Sequence, residues 1–175
     1  MQHEKFNRSA LRTRMIVLDV DGVLTDGSIT LDNEGNEFKS FHVRDGHAIK
    51  LAQQAGLVVA VITGRTSRVV ERRMKELGVG EIHQGVRDKQ EVYRSLIRRY
   101  GISDEEVACM GDDVVDVPLL ESVGLPAVPA DADSESTAAA VFISDKPGGR
   151  GAVRDLIEKI LKAQSVWDSL VRHIA

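Results

Sequence analysis

Two aspartates one residue apart, Asp19 and Asp21, close the apolar run Met15-Ile16-Val17-Leu18 and stand just before Gly22. The run reads as a buried strand. Side chains two apart on a strand share one face, about 6.5–7 Å apart along the chain, so both carboxylates point the same way from its C-terminal tip. Like charges held that close call for a shared proton or a cation. Magnesium suits hard oxygen ligands, because it keeps several waters and accepts a substrate phosphate as a further ligand. Gly22 lets the chain leave the strand sharply or approach a ligand closely.

Further candidates fall at other strand ends. Thr63, with Gly64 and Arg65, follows the apolar stretch Leu57 to Ile62, where a hydroxyl can hold a phosphoryl oxygen; a cap or turn is its bland alternative. Lys89 sits in the first turn of an expected helix, where the macrodipole prefers anions, and a bound phosphate would satisfy both lysine and dipole. Gly111-Asp112-Asp113 repeats the paired carboxylates after Val107 to Met110. Asp112 is the better metal ligand of that pair, and Asp116 reads mainly as a helix cap. His3, His83 and His173 show no ligand spacing, and Cys109, in an apolar run, reads as a small buried hydrophobe.

These residues need elements to carry them. Residues 4–13 could form a short helix or a loose arm. Ser28 to Leu31 and Glu37 to Phe41 flank the turn-forming Asp32-Asn33-Glu34-Gly35-Asn36, which predicts a β-hairpin. A lone two-stranded ribbon is marginal, so Ile29, Leu31, Phe38 and Phe41 should pack on something, another subunit included. Asp45 is placed to cap a helix that stops at Gly56. A helix capped by Thr66 or Ser67 closes near Gly78. Glu81 to Gln84 reads as a short strand, Asp88-Lys89 opens the helix Gln90 to Tyr100, and Pro118 fits the first turn of a helix through Ser122. Leu125 to Val128 and Ala138 to Ile143 read as the last strands, before a helix over Ala152 to Ala163. Strands alternating with helices predict a mostly parallel, doubly wound α/β sheet, in which ligands gather at the carboxyl ends of the strands.

The chain has 175 residues and a formal charge of −4, with 27 acidic against 23 basic side chains. That length suits one domain, here residues 1–175 with the hairpin at about 27–42. So mild a charge gives no electrostatic case for nucleic acid or an anionic membrane. No apolar run can span a bilayer, and Met1 to Arg14 lacks the core of a signal peptide. One cysteine excludes an intrachain disulfide and suits the cytoplasm.

Taken together, Asp19-x-Asp21, Thr63-Gly64-Arg65, Lys89 and Gly111-Asp112-Asp113-x-x-Asp116 resemble, in order, the motif set of the haloacid dehalogenase superfamily of phosphohydrolases. Within it, Asp19 to Asp26, the hairpin, His42-Val43-Arg44-Asp45-Gly46 and Gly148-Gly149-Arg150-Gly151-Ala152-Val153-Arg154 are similar to the 3-deoxy-D-manno-octulosonate 8-phosphate phosphatase family, over all but Val166 to Ala175. The resemblance implies a Rossmann-like fold with a protruding hairpin and no cap domain. It also implies magnesium on the carboxylates of Asp19 and Asp112 and the backbone oxygen of Asp21. Asp19 would be the nucleophile and Asp21 the general acid and base, with Thr63 and Lys89 against the phosphoryl oxygens. Asp21, His42, Val43, Arg44, Asp45, Gly46, Lys50, Arg65, Arg73 and Lys89 would bind a sugar-acid phosphate. A cytoplasmic homotetramer is implied, with hairpins meeting at its centre and the glycine-rich segment closing a neighbour's site, in lipopolysaccharide precursor synthesis. Two other readings stay open: a phosphatase of a related, sialic-acid-type 9-phosphate, and a non-catalytic regulatory domain of this fold.

Overall fold

The computed structural model describes residues 2–172. Helix α1 (Gln2–Arg12) leads into β1 (Met15–Leu18), and β2 (Thr30–Leu31) pairs with β3 (Glu37–Phe38). There follow α2 (Val43–Gln54), β4 (Val58–Ile62), α3 (Arg68–Glu76), β5 (Glu81–His83), α4 (Lys89–Tyr100), β6 (Val107–Met110), α5 (Val117–Ser122), β7 (Leu125–Val128), α6 (Ser134–Ala139), β8 (Phe142–Ile143), α7 (Ala152–Ala163) and α8 (Trp167–Arg172). Short 3-10 turns lie at Asp104–Glu106 and Val114–Asp116.

Six strands form one parallel sheet in the order β5-β4-β1-β6-β7-β8. Each face is buried by its own helices, which is why β1 is apolar at every position. Ile16 and Leu18 join the core built with α1, α2 and α7, while Met15 and Val17 join the one built with α4 and α5. The chain winds outward from β1 through β4 to β5, then returns to β6 and continues to β8 on the other side. Neighbouring strands β1 and β6 therefore send their following loops apart, the arrangement that opens a ligand crevice. Leu18 is level with both Val61 and Met110, so Asp19, Thr63 and Asp112 all leave the sheet at one edge.

The expected α/β architecture is the one observed, with local differences. The ribbon is shorter than expected, Thr30 facing Phe38 and Leu31 facing Glu37, and Asp32 accepts from the Glu34 and Asn36 amides across its turn. Ile29, Leu31 and Phe38 are exposed, whereas Phe41 packs on the core. Asp45 does not cap α2: that helix begins two residues earlier, and the Asp45 carboxylate turns instead to α7. Residues 138–141 are not strand. Asp133 accepts from the Glu135 and Ser136 amides and starts α6, since a good cap before alanine-rich sequence favours a helix. The arm at the N-terminus is helical. The tail forms α8, whose Trp167 ring lies 4.6 Å from the Arg154 guanidinium carbon; His173 lies outside the described residues. Among those residues no helix is long and apolar enough to cross a membrane.

Candidate active site

Asp19 extends β1 by one residue, its amide donating to the Met110 carbonyl at 3.0 Å, and its side chain is buried where β1 and β6 diverge. Lys89 opens α4, which Asp88 caps by accepting from the Gln90 and Glu91 amides. Its ammonium donates to Asp19 Oδ1 at 2.5 Å and to Asp116 Oδ1 at 2.6 Å. Asp116 is thus not the helix cap its position suggested. It makes no capping bond to α5, and its second oxygen accepts from the Asp112 amide at 3.1 Å, which fixes the loop after β6. Asp113 instead accepts from the Val114 amide. Asp112 meets the Gly22 turn closely: a Cβ on Gly22 would come 2.0 Å from Asp112 Oδ2, and Gly22 has a φ of +94°, so only glycine suits the position.

One oxygen each from Asp19, Asp112 and Asp116 lies within 4.8 Å of the others. Three carboxylates against one lysine leave an excess of negative charge in a poorly hydrated place. Burial raises the Asp19 carboxyl to about 6 even though Lys89 pulls it down. Burial, then the charges of Asp19 and Asp116, raise Asp112 to about 7. Burial also works against the Lys89 ammonium, but its two aspartate partners outweigh that and raise its pKa. Hard oxygen donors with unrelieved negative charge fit a divalent cation of the magnesium type. Asp116 already has both oxygens engaged, so Asp19 and Asp112 are the donors better placed to turn to one.

Across the cavity, Asp21 meets a second group of charges. Its Oδ1 accepts from the Lys39 ammonium, and its Oδ2 lies 3.5 Å from Arg65 Nε. Arg65 also donates to Glu37 at 3.1 Å, and Glu37 accepts from the hydroxyl of Ser67, the residue that caps α3. Thr63 is buried, its amide donating to the His83 carbonyl at 2.9 Å. Asp19, Asp21, Thr63, Arg65, Lys89 and Asp112 all line one cavity of about 620 Å³.

Residues 42–46, Lys50 and Arg73 do not line that cavity. Val43, Arg44 and Lys50 are exposed, and Arg73 pairs with Glu76 at 3.0 Å. Asp45 is buried; its carboxylate accepts from the Gly151 amide at 3.2 Å and the Arg154 amide at 2.7 Å, capping α7 from more than a hundred residues away. The glycine-rich segment docks on its own chain. The Gly149 amide donates to the Val23 carbonyl at 2.9 Å, and a Cβ on Gly148 would lie 1.8 Å from the Gly22 carbonyl. That packing buttresses the turn that holds Asp21 and Gly22. Lys39 and Glu37, which hold Asp21 and Arg65, carried no assignment from sequence. Their only signal is alternation, which puts both on one face of the ribbon with Phe38 on the other.

A parallel sheet with a carboxylate-rich cavity at its switch point, and no domain inserted beyond the ribbon, defines a cap-less hydrolase of the haloacid dehalogenase type. Residues 36–124 match the haloacid dehalogenase-like hydrolase family. The chain is 42% identical over 155 residues to 3-deoxy-D-manno-octulosonate 8-phosphate phosphatase KdsC of Salmonella typhi, covering 89% of this chain and 82% of that protein, and equally similar to KdsC of Escherichia coli K12. The crystal structure of the Moraxella catarrhalis phosphatase of that name, in complex with magnesium, phosphate and KDO, superposes with a TM-score of 0.95. It is 36% identical, with 98% of this chain and 99% of that chain covered. The Yersinia pestis phosphatase gives a TM-score of 0.93 at 38% identity, covering 94% and 89%. The chain belongs to the 3-deoxy-D-manno-octulosonate 8-phosphate phosphatase family of haloacid dehalogenase-like hydrolases.

Proposed function

We propose that this chain is a magnesium-dependent phosphatase that hydrolyses 3-deoxy-D-manno-octulosonate 8-phosphate to the free sugar acid and phosphate. The observation that carries the reading is the convergence of Asp19, Asp21, Thr63, Lys89 and Asp112 on one cavity at the sheet's switch point, in a chain 42% identical to phosphatases of that name. One sheet with a core on each face supports a single phosphatase domain over residues 1–175.

Asp19 attacks phosphorus in line: the bond from its carboxylate oxygen to phosphorus forms as the bond to the sugar oxygen breaks. Asp21 gives its proton to the departing oxygen. It then takes a proton from the water that attacks the aspartyl-phosphate, releasing phosphate and restoring Asp19. Thr63 and Lys89 face the equatorial oxygens, where most phosphoryl-transfer catalysis lies. The carboxylates of Asp19 and Asp112 and the backbone oxygen of Asp21 would hold magnesium, which when bound supplies positive charge against those oxygens. Arg65 is the fork for the sugar acid's carboxylate. His42, Val43, Arg44, Asp45, Gly46, Lys50 and Arg73 complete the substrate's surroundings. They lie outside the cavity itself, and the family's substrate is what supports their assignment.

The exposed Ile29, Leu31 and Phe38 support a homotetramer with the ribbons at its centre. A buried free cysteine, Cys109, supports the cytoplasm, and the family's substrate supports lipopolysaccharide precursor synthesis. The test is phosphate release from 3-deoxy-D-manno-octulosonate 8-phosphate and a panel of other sugar phosphates, with magnesium and with chelator. Fast, magnesium-dependent release selective for the first and lost in Asp19→Asn is expected. Selective release from a different sugar phosphate would overturn the substrate, and silence on every compound would overturn the enzyme.

A further inference from the structure

The ribbon carries a lysine that neither the nucleophile nor the phosphate site uses. The Lys39 side chain is 1% exposed, the ammonium included, a position that lysine takes only when its charge is matched. Its partners are Asp21 Oδ1 and, at 3.5 Å, Glu37 Oε1. Arg65 closes the figure, 3.5 Å from Asp21 Oδ2 and 3.1 Å from Glu37 Oε1. Glu37 is in turn tied to Ser67 at the start of α3. Two carboxylates and two cations thus form a neutral ring that anchors the ribbon to the β4–α3 loop, with Asp21 as its member facing the phosphoryl site.

The two cations are not equivalent. Arg65 lines the cavity and its side chain is 47% exposed, so an anionic substrate can draw it away from Asp21. Lys39 does not line the cavity, and its side chain is buried against Asp21 and Glu37. When Arg65 turns to substrate, Asp21 Oδ2 is freed to carry the proton, and Lys39, its charge met by Glu37, is the contact left on Oδ1 to hold the Asp21 carboxyl in one rotamer.

We propose that Lys39, held by Glu37, is a positioning residue that aims the Asp21 carboxyl at the leaving oxygen, so that the ribbon takes part in the proton transfer to the sugar. The inference rests on the reading of Asp21 as the general acid. In that step the pair of the breaking phosphorus–oxygen bond goes to the sugar oxygen, which takes the proton from Asp21. An aryl phosphate expels a phenolate that needs no such proton. Because kcat/KM reports steps up to the first irreversible one, formation of the aspartyl-phosphate, misaiming Asp21 lowers it for an alkyl phosphate and largely spares an aryl phosphate.

The experiment compares kcat/KM for 3-deoxy-D-manno-octulosonate 8-phosphate and for p-nitrophenyl phosphate in the magnesium-loaded protein, for Lys39→Met, Lys39→Arg, Asp21→Asn and the double variant Asp21→Asn/Lys39→Met. Circular dichroism checks the fold of each. Lys39→Met is expected to lose at least tenfold on the sugar phosphate and less than threefold on the aryl phosphate. Lys39→Arg should recover most of the loss, and the double variant should be no slower than Asp21→Asn alone. Should Lys39→Met fail to fold, Glu37→Gln, which loosens the same lysine, is expected to show the same selectivity at smaller size. Equal losses on both substrates, no loss on the sugar phosphate, or a further loss in the double variant would each overturn the proposal. Unimpaired hydrolysis of the sugar phosphate by Asp21→Asn would overturn the reading of Asp21 itself, and the proposal with it.

Discussion

Replacing Asp112 by asparagine should stabilise the metal-free protein while abolishing its response to magnesium. In the folded chain the Asp112 carboxyl ionises near 7 rather than at its ordinary 3.8, because it is partly buried beside Asp19 and Asp116. At about 1.4 kcal/mol per pH unit this difference is roughly 4 kcal/mol of penalty once the group is ionised. Asp112 is only half-buried, and solvent screening brings that to about 2 kcal/mol. A raised folded-state pKa means that the folded protein holds the proton longer than the unfolded chain. The contribution of Asp112 to metal-free stability is therefore most favourable below the unfolded value and is lost as the pH rises through about 7. Asparagine keeps the shape and removes the charge. In chelator near pH 8, Asp112→Asn should melt higher by roughly 4–8 °C for a chain of this size, whereas at about pH 5 the gap should shrink to less than half. Magnesium at a hundred times its dissociation constant should stabilise the wild type by about 2.7 kcal/mol and leave the variant unmoved. Thermal melts followed by circular dichroism, with and without metal at both pH values, read all of this. A variant less stable than wild type in chelator near pH 8, or one stabilised equally by magnesium, would refute the reasoning.

Three further perturbations test the supports of the site. Gly22→Ala places a methyl group on the Asp112 carboxylate and strains a φ of +94°; hydrolysis should fall at least about tenfold in steady-state assays, with stability down by about 1–3 kcal/mol in urea titration. Asp45→Ala strips α7 of its distant cap and leaves the buried Gly151 amide and the part-buried Arg154 amide without an acceptor, so urea unfolding should show a loss of about 2 kcal/mol. Phe38→Asp puts a charge on the exposed face of the ribbon; sedimentation should show the proposed tetramer giving way to smaller species, and an unchanged mass would remove the ribbon from the proposed interface.

What the sequence made legible was whatever depends on local order. Each apolar run followed by a carboxylate or threonine became a strand with its candidate residue at the tip, because strand period and strand ends are written in consecutive residues. The same holds for Ser67 and Asp88, caps that act within their own first turn. Contacts between distant segments were not legible. Asp45 looked like the cap of its own helix and proved to cap α7. Asp116, four residues after Asp112, looked like a cap and proved to tie Lys89 to the Asp112 loop. Lys39 had no marker beyond alternation, since what selects it is Asp21, eighteen residues earlier and brought near only when the ribbon folds back. Helix α6 was lost to a strand reading because alanines carry no period of their own, and only the cap at Asp133 decides between the two.

The most direct test of the account is to find where the phosphoryl group goes. Substrate is mixed with the magnesium-loaded protein, quenched in acid within the first turnover, reduced with borohydride and digested for mass spectrometry. The account predicts homoserine at position 19, the product of reducing an acyl phosphate on Asp19, and none in Asp19→Asn. An acyl phosphate on Asp21 or Asp112, or phosphate released in a full turnover with no residue ever modified, would contradict it.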